Sequence, residues 1–445
     1  MPWSTRMFPI IVLLRSPGKD YPNGRCIYLG VVEKHLLKEE YTLRTVLIIG
    51  TLVPDKITSY CHNNGIKNSA ADIAQTYILH GLEKNADIEA VDTLGAVRVK
   101  PYPKTKIKRF DNAEQKAAKG LMQGVGYSNL PVIGFWFREK ALISHAKKWA
   151  NKNCDKTDVT VLVYSMHSPF MKAAKAVKKI IPTAKIVLTV ADLPLYMDTQ
   201  GKIRKILKQI DWRQIRGLMK SVDKYLLYTK YMAEYLELPR KKWMVFEGLF
   251  DADRAVDTVQ KKADKRICIY AGNLDARYGI KILIDAFAKI RNDAVLHIYG
   301  AGFDKDYIET LTRSAGNVEY KGIVTADEMF EIMKSAILLI NPRSAALELT
   351  KYSCPSKTFE YMASGTPVLM THLPGLPDEY EPYLYFPQTE DSDGFANAID
   401  NILEKDSAEL EAFGLRAARF IKTEKNSELV MKKVMDFVEN REGCR

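Results

Sequence analysis

The sequence predicts an α/β protein made of two doubly wound parallel sheets, and three features of the chain say so. Short β-branched runs recur along it, stretches of helical spacing separate them, and one polar segment divides the whole in two. With 445 residues, 47% of them hydrophobic, the chain is long enough for two or three domains with real cores. Strands are read at 45–49, 159–164, 186–190 and 225–227 in the first half, and at 267–270, 295–299, 337–340 and 368–370 in the second. Helical spacing is read at 70–81, 280–290 and 327–335. The stretch FDADRAVDTVQKKADKR (250–266) is polar and poor in large apolar groups, and is read as a linker. The expected divisions are an N-terminal extension (1–44), a first domain (45–249), the linker, a second domain (267–425) and a C-terminal helix (426–445) able to return to the first domain.

RTVLIIG (44–50) has the form of a first Rossmann strand entering its glycine turn. The residues before it include turn-rich stretches such as SPGKDYPNGR and fit no βα unit. They are either an extra segment or the product of a start codon upstream of the true one. The apolar run 8–14 is far short of the roughly 20 residues a spanning helix needs, and no small-residue cleavage site follows it at signal-peptide distance. Six cysteines (26, 61, 154, 268, 354, 444) are scattered with no CxxC pair, which argues against a disulfide framework or a zinc site and for a reducing cytoplasm.

The net charge of +12 is unevenly placed. Residues 100–246 hold 30 Lys/Arg against 11 Asp/Glu, a surplus of 19, so the remainder stands at −7. Such a half is either solvated lysine surface or the face toward an anionic partner: nucleic acid, a phosphorylated ligand or a membrane. Within it, GKIRKILKQIDWRQIRGLMK (201–220) sets Ile203, Ile206, Leu207 and Ile210 on one stripe amid Lys202, Arg204, Lys205 and Lys208. That pattern suits a helix lying on anionic lipid, and equally a helix packed on a core with solubilising lysines. No RRM, KH or helix-turn-helix pattern points to nucleic acid.

SCPSKTFEYMASGTPV (353–368) has a divided chemistry. Read as a short helix between Pro-Ser and Gly-Thr-Pro, it sets Lys357, Glu360, Tyr361 and Ser364 on one side and Phe359, Met362 and Ala363 on the other. A lysine in the first turn opposes the helix dipole unless an anion sits there. A plain Lys357–Glu360 surface pair at i, i+3 is the simpler explanation.

With YAGNLDARYGIKILIDAF (270–287), LHIYGAG (296–302), VEYKGIV (318–324) and LLINPR (338–343), this motif makes the second half resemble the nucleotide-binding domain of GT-B glycosyltransferases of retaining family 4. Its P-S-K form resembles a branch found in bacterial capsule and exopolysaccharide synthesis. VYSMHSPF (163–170) and IVLTVADLPLYM (186–197) resemble that family's cleft loops more loosely. The resemblance implies two Rossmann-like domains facing a cleft, and transfer of a sugar from a nucleoside diphosphate donor, UDP favoured. The acceptor would be a hydroxyl of a glycan or lipid-linked glycan, with the anomeric configuration retained and neither cofactor nor metal. It implies that Glu360 accepts from the ribose hydroxyls, which a carboxylate's several acceptor sites suit, and that Ser356 and Lys357 face the diphosphate. Gly272, Asn273, Arg277, Gly302, Val324 and Arg343 complete the donor set.

The chain departs from the family in two places. Tyr352 stands where the first glutamate of an E-x7-E pair is usual, leaving Glu348 as a substitute from a differently shaped loop. Asn273 and Tyr278 replace a usual Arg and Lys, so Arg277, Arg343 and Lys357 remain to balance diphosphate charge, or are ordinary surface residues. On the acceptor side, His167 resembles the family's cleft histidine, and is equally readable as a structural one. Asp192 is read as orienting an acceptor hydroxyl or as capping a turn. Asn64 and Gly65, in CHNNGIKN, are read as shaping the acceptor site or as turn residues. The implied protein is cytoplasmic, peripheral at the inner face of the plasma membrane through 201–220. A nucleotide-sugar epimerase on the same fold, and an inert relative acting as a scaffold, are the alternatives.

Overall fold

The computed structural model describes residues 44–66, 70–194, 202–256, 266–302, 304–314, 316–353 and 356–440. The expected N-terminal extension up to residue 43, linker residues 257–265 and the last five residues lie outside them.

The first domain comprises β1 (Arg44–Gly50), α1 (Asp55–Asn63), α2 (Ala70–Lys84), β2 (Ile88–Gly95), β3 (Arg109–Phe110), β4 (Ala113–Lys116), β5 (Leu121–Gly124), β6 (Tyr127–Ser128) and α3 (Gly134–Lys152). It continues with β7 (Val159–Tyr164), α4 (Ser168–Ile180), β8 (Lys185–Val190), α5 (Lys202–Met219), β9 (Lys224–Leu227), α6 (Lys230–Tyr235) and β10 (Trp243–Val245). The sheet order is β10-β9-β8-β7-β1-β2-β5-β4, with β4 antiparallel at the edge. All seven residues of β1 are buried, as a central strand covered on both faces must be. Leu47, Ile49, Val161 and Val163 pack with α3, α4 and Ile215 of α5. Val46, Ile48 and Leu162 share a second core with α2. β1 opens one residue before its expected start, because Arg44 is buried in ion pairs with Asp158 and Glu439.

The second domain comprises β11 (Ile267–Asn273), α7 (Ile280–Phe287), β12 (Val295–Ala301), α8 (Lys305–Ser314), β13 (Val318–Gly322), α9 (Ala326–Ser335) and β14 (Leu338–Asn341). After these come α10 (Ser356–Ala363), β15 (Val368–Met370), α11 (Ser392–Leu403), α12 (Ser407–Glu424) and α13 (Ser427–Glu439). Its sheet, β13-β12-β11-β14-β15, is wholly parallel. The eight runs read as strands are β1, β7, β8, β9, β11, β12, β14 and β15. β2, whose IEAVDTLG interleaves two acids with the apolar residues, is not among them.

The chain crosses between the domains twice, and the crossings lie side by side. Phe250 N–H donates to the Lys425 carbonyl (3.0 Å), and Ser427 N–H to the Phe250 carbonyl (3.0 Å). The linker is therefore not uniformly polar, since Phe250 is fully buried against Tyr77 and Phe330. Lys425 sits beside it between Glu247 (3.1 Å) and Glu379 (2.6 Å). Asn426 caps α13 through Leu429 N–H (2.8 Å), and α13 packs on α2 of the first domain.

In each sheet the first strand of the unit has partners running off in opposite directions: β1 between β2 and β7, β11 between β12 and β14. Open α/β sheets bind ligands beyond the carboxyl ends of such strands.

Candidate functional site

The β11/β14 switch point supplies one wall. Gly300 has φ of 137°, and a Cβ there would collide with the Gly272 carbonyl. A Cβ on Gly302 would strike the Leu274 carbonyl. Small residues thus let the ends of β11 and β12 approach closely and present backbone rather than side chains. Asn273 is exposed at the tip of β11. Arg277 grips the buried Asp275 through two nitrogens (Nη2 to Oδ2 2.6 Å, Nε to Oδ1 2.9 Å), which holds that carboxyl below its usual range. Arg277 is therefore spent largely on its own turn. Arg343, following β14, lies over the Tyr278 ring at 5.0 Å. Val324, just beyond β13, is half-buried at a groove with Arg254, Asp327 and Phe330.

Helix α10 closes this wall, and Ser356 begins it. Thr358, Phe359, Tyr361, Met362 and Ala363 are all buried. Lys357 and Glu360 reach out, 43% and 22% exposed, and pair with each other at 3.1 Å. The division expected from the sequence is thus wrong for Tyr361 and Ser364, which are in the core. A short helix wedged among strands is covered around most of its circumference, so a half-polar wheel does not describe it. The Tyr361 hydroxyl accepts from Ala271 N–H (2.7 Å) and donates to Ala271 C=O (3.1 Å). β14 pairs with β11 only at Cys268 and Ile269, so the hydroxyl serves backbone groups beyond the end of that ladder. Glu360 lies in the field of Arg254, a residue the sequence reading missed. Arg254 in turn bonds Tyr77 (2.9 Å) and Asp327 (3.0 Å).

Glu348 is exposed at the start of a 3-10 turn, Glu348–Tyr352, that docks on the first domain. Thr229 donates to the Lys351 carbonyl (2.6 Å), and the Tyr352 ring meets the Tyr235 ring edge-on at 5.6 Å. Tyr352, at the position of the missing glutamate, is thus an interdomain packing residue.

The opposing wall is a cavity of about 840 Å³ in the first domain, lined by Thr51, Asp72, Arg98, Arg138, His167 and Asp192 among others. His167 sits at the N-cap of α4, three residues past the end of β7. Its Nε2 is 3.3 Å from Arg138 Nη2. A guanidinium only donates, so Nε2 is the acceptor and the ring proton rests on Nδ1, which is buried without a partner. Burial, then the positive charges of Arg98 and Arg138, hold this imidazole well below its ordinary range, so it is neutral at physiological pH. Burial raises the Asp192 carboxyl, while Arg98 and Arg343 oppose that rise. Arg343 acts here from the other domain, so the two walls face each other. Asn64 and Gly65 form the turn closing α1, with Gly65 at φ 75° and Asn64 Nδ2 bonded to the Tyr60 carbonyl (2.9 Å). Cys61 and Ile66, their neighbours, line the cavity instead. Cys61 also belongs to α1 rather than to a loop.

Helix α5 forms as expected, and Ile206, Leu207 and Ile210 are 58%, 60% and 46% exposed. They are not core; Ile215 serves that purpose instead. The Ile203 side chain lies outside the described residues. No helix among the described residues is long and apolar enough to cross a membrane.

Residues 265–405 match the family described as Glycosyl transferases group 1. No curated protein matches the sequence. Among solved structures, the sucrose-phosphate synthase of Thermosynechococcus elongatus is similar at TM-score 0.63 and 15% identity, over 89% of this chain and 99% of that one. The Anabaena protein HepE, solved with UDP-glucose, is similar at TM-score 0.58 and 12% identity, over 89% and 100%. The lipopolysaccharide outer core galactosyltransferase WaaB is similar at TM-score 0.57 and 15% identity, over 89% and 99%. The fold is that of the GT-B glycosyltransferases.

Proposed function

We propose that this protein is a retaining glycosyltransferase that moves a sugar from a nucleoside diphosphate donor, UDP favoured, to a hydroxyl of a lipid-linked glycan. The observation that carries this is the confrontation of two strand-end walls. The backbone-lined bed at Gly272 and Gly302 with Arg343, Lys357 and Glu360 faces the His167–Asp192 cavity, close enough for Arg343 to act on Asp192. A donor bed set opposite an acceptor cavity suits transfer between two bound substrates. Charge developing on a departing diphosphate would be stabilised by Arg343, Lys357 and the α10 N-terminus, with no metal required. Neutral His167 and Asp192 would orient the reacting hydroxyls, and Glu348, exposed on the docking turn, would approach the sugar. The structures solved with UDP and UDP-glucose support a uridine donor by analogy of fold alone. The exposed α5 stripe supports a peripheral position on an anionic membrane at the cytoplasmic face.

Tyr352 favours one rival, an inert relative acting as a partner, because its ring packs where the usual glutamate would contact sugar. Labelled UDP-sugars incubated with and without a membrane extract separate the readings. Transfer to lipid-extractable product only with extract supports the proposal; turnover without acceptor points to an epimerase, and neither outcome to the inert relative. Donor binding gives a second check. Lys357→Ala and Glu360→Gln are each expected to weaken UDP binding at least about tenfold while leaving the melting temperature unchanged, since neither leaves a cavity. Wild-type affinity in both would make their contact a plain surface pair.

A further inference from the structure

We propose that the first-domain cavity is a phosphoryl site for the acceptor, in which Arg98 and Arg138 bind the phosphate and the exposed apolar tip at 132–136 seats the hydrocarbon it carries. This deepens the glycosyl-transfer reading and rests on it.

Arg138 lacks a countercharge among the described residues. Arg138 is buried, yet its donors find little: Nη1 is 3.4 Å from the Val97 carbonyl, Nη2 is 3.3 Å from His167, and Nε is buried without a partner. Its remaining neighbours are Tyr127, whose neutral hydroxyl also supports the guanidinium and whose ring is 5.8 Å away, and the Phe135 ring (5.6 Å); neither is a countercharge. Buried arginines are ordinarily paired, because an uncompensated charge is costly to desolvate. Arg98 faces the same cavity, repels Arg138, and makes no ion pair among the described residues. The cavity also has carboxylates, but they are placed otherwise. Asp55 accepts from Gln115 (2.9 Å) and Asp72 from Thr51 (2.6 Å), while Asp192, Asp211 and Asp72 lie in the field of Arg98 without forming an ion pair with it. Two guanidinium forks without a carboxylate partner match a phosphoryl group, which offers several oxygens and up to two charges.

The second observation lies at the rim. Val132, Ile133, Phe135 and Trp136 are 95%, 46%, 45% and 52% exposed, an apolar cluster that water disfavours. The Phe135 ring is 5.8 Å from the His167 ring, so the cluster starts where the cavity opens. Lys140 lies over Trp136 (5.2 Å), and β3, which ends the basic run 104–109, pairs with β6 just before the tip. Apolar residues ringed by cations suit the boundary between an anionic headgroup and its hydrocarbon.

Calorimetric titration of the full chain, with UDP saturating, tests this using farnesyl monophosphate, farnesol and inorganic phosphate. Farnesyl monophosphate should bind alongside UDP, and farnesol should not match it. Arg98→Ala and Arg138→Met should each weaken the phosphate ester at least about tenfold. Ile133→Ser with Trp136→Ala should weaken the ester and leave inorganic phosphate unchanged. Because Arg138 is buried, its variant is judged only if its melt is cooperative; exposed Arg98 is decisive by itself. Displacement of the ester by UDP, unchanged affinity in Arg98→Ala, or farnesol binding equal to its phosphate would each overturn the proposal. UDP binding with no ester binding would sink this inference alone, whereas loss of UDP binding in the wild type would sink the donor reading beneath it.

Discussion

Replacing Tyr361 by Phe removes one oxygen and keeps the ring, so the cost isolates the hydroxyl. That oxygen is the partner of both Ala271 N–H (2.7 Å) and Ala271 C=O (3.1 Å), with the residues 90 positions apart and the groups buried. β14 does not reach Ala271, so no strand replaces it. A buried backbone group left without a partner costs about 1–3 kcal/mol; two such groups, with partial relaxation, put Tyr361→Phe at about 2–4 kcal/mol. For a domain of this size each kcal/mol lowers Tm by about 2–4 °C, so a drop on the order of 10 °C is expected in scanning calorimetry. Donor binding measured well below the transition should be nearly preserved, because Lys357 and Glu360 are untouched. A Tyr361→Phe melt within 1 °C (roughly the resolution of the shift expected here) of wild type would refute the claim that this hydroxyl completes the β11 ladder.

Three further outcomes are expected. His167 has a depressed folded pKa, so below the unfolded value of 6.5 the unfolded chain binds a proton that the native state does not. Stability should therefore fall as pH drops from 6.5 toward about 5, and urea melts of His167→Gln should show a slope shallower by up to about 1.4 kcal/mol per pH unit. Lys425→Met should cost about 3–5 kcal/mol by stranding Glu247, whose side chain is only 12% exposed, beside the domain crossings, read as a lower urea midpoint; a neutral result would mean the cluster is solvated. The protein should sediment with anionic vesicles at low salt and release as ionic strength rises. Ile206→Ser with Leu207→Ser should abolish this, and salt-insensitive binding would contradict the basic-stripe account.

Much of the architecture was legible in the sequence because its signals are local. β-branched runs such as VTVLVY and IVLTV state their conformation within six residues, and their alternation with helical spacing implies parallel sheets. The Lys357–Glu360 pair was legible for the same reason, since it needs only a three-residue spacing. β2 was missed because its acids mask the strand pattern, and Phe250 because one aromatic in a polar stretch carries no period.

The tertiary structure decided what lies beyond that range. Tyr361 looked like a polar-face residue on a helical wheel, and became core because β14 stops short of Ala271 and a hydroxyl from another element was needed there. Arg98, beyond β2, and Arg138, on α3, are 40 residues apart and unremarkable in sequence. Arg98 meets His167 because β2 and β7 flank β1, bringing the segments that follow them to one end of the sheet, and Arg138 joins them because α3 packs on α4, which His167 caps. Propensity and periodicity act over a few residues, whereas desolvation and Coulomb forces act between whatever the strand order places together.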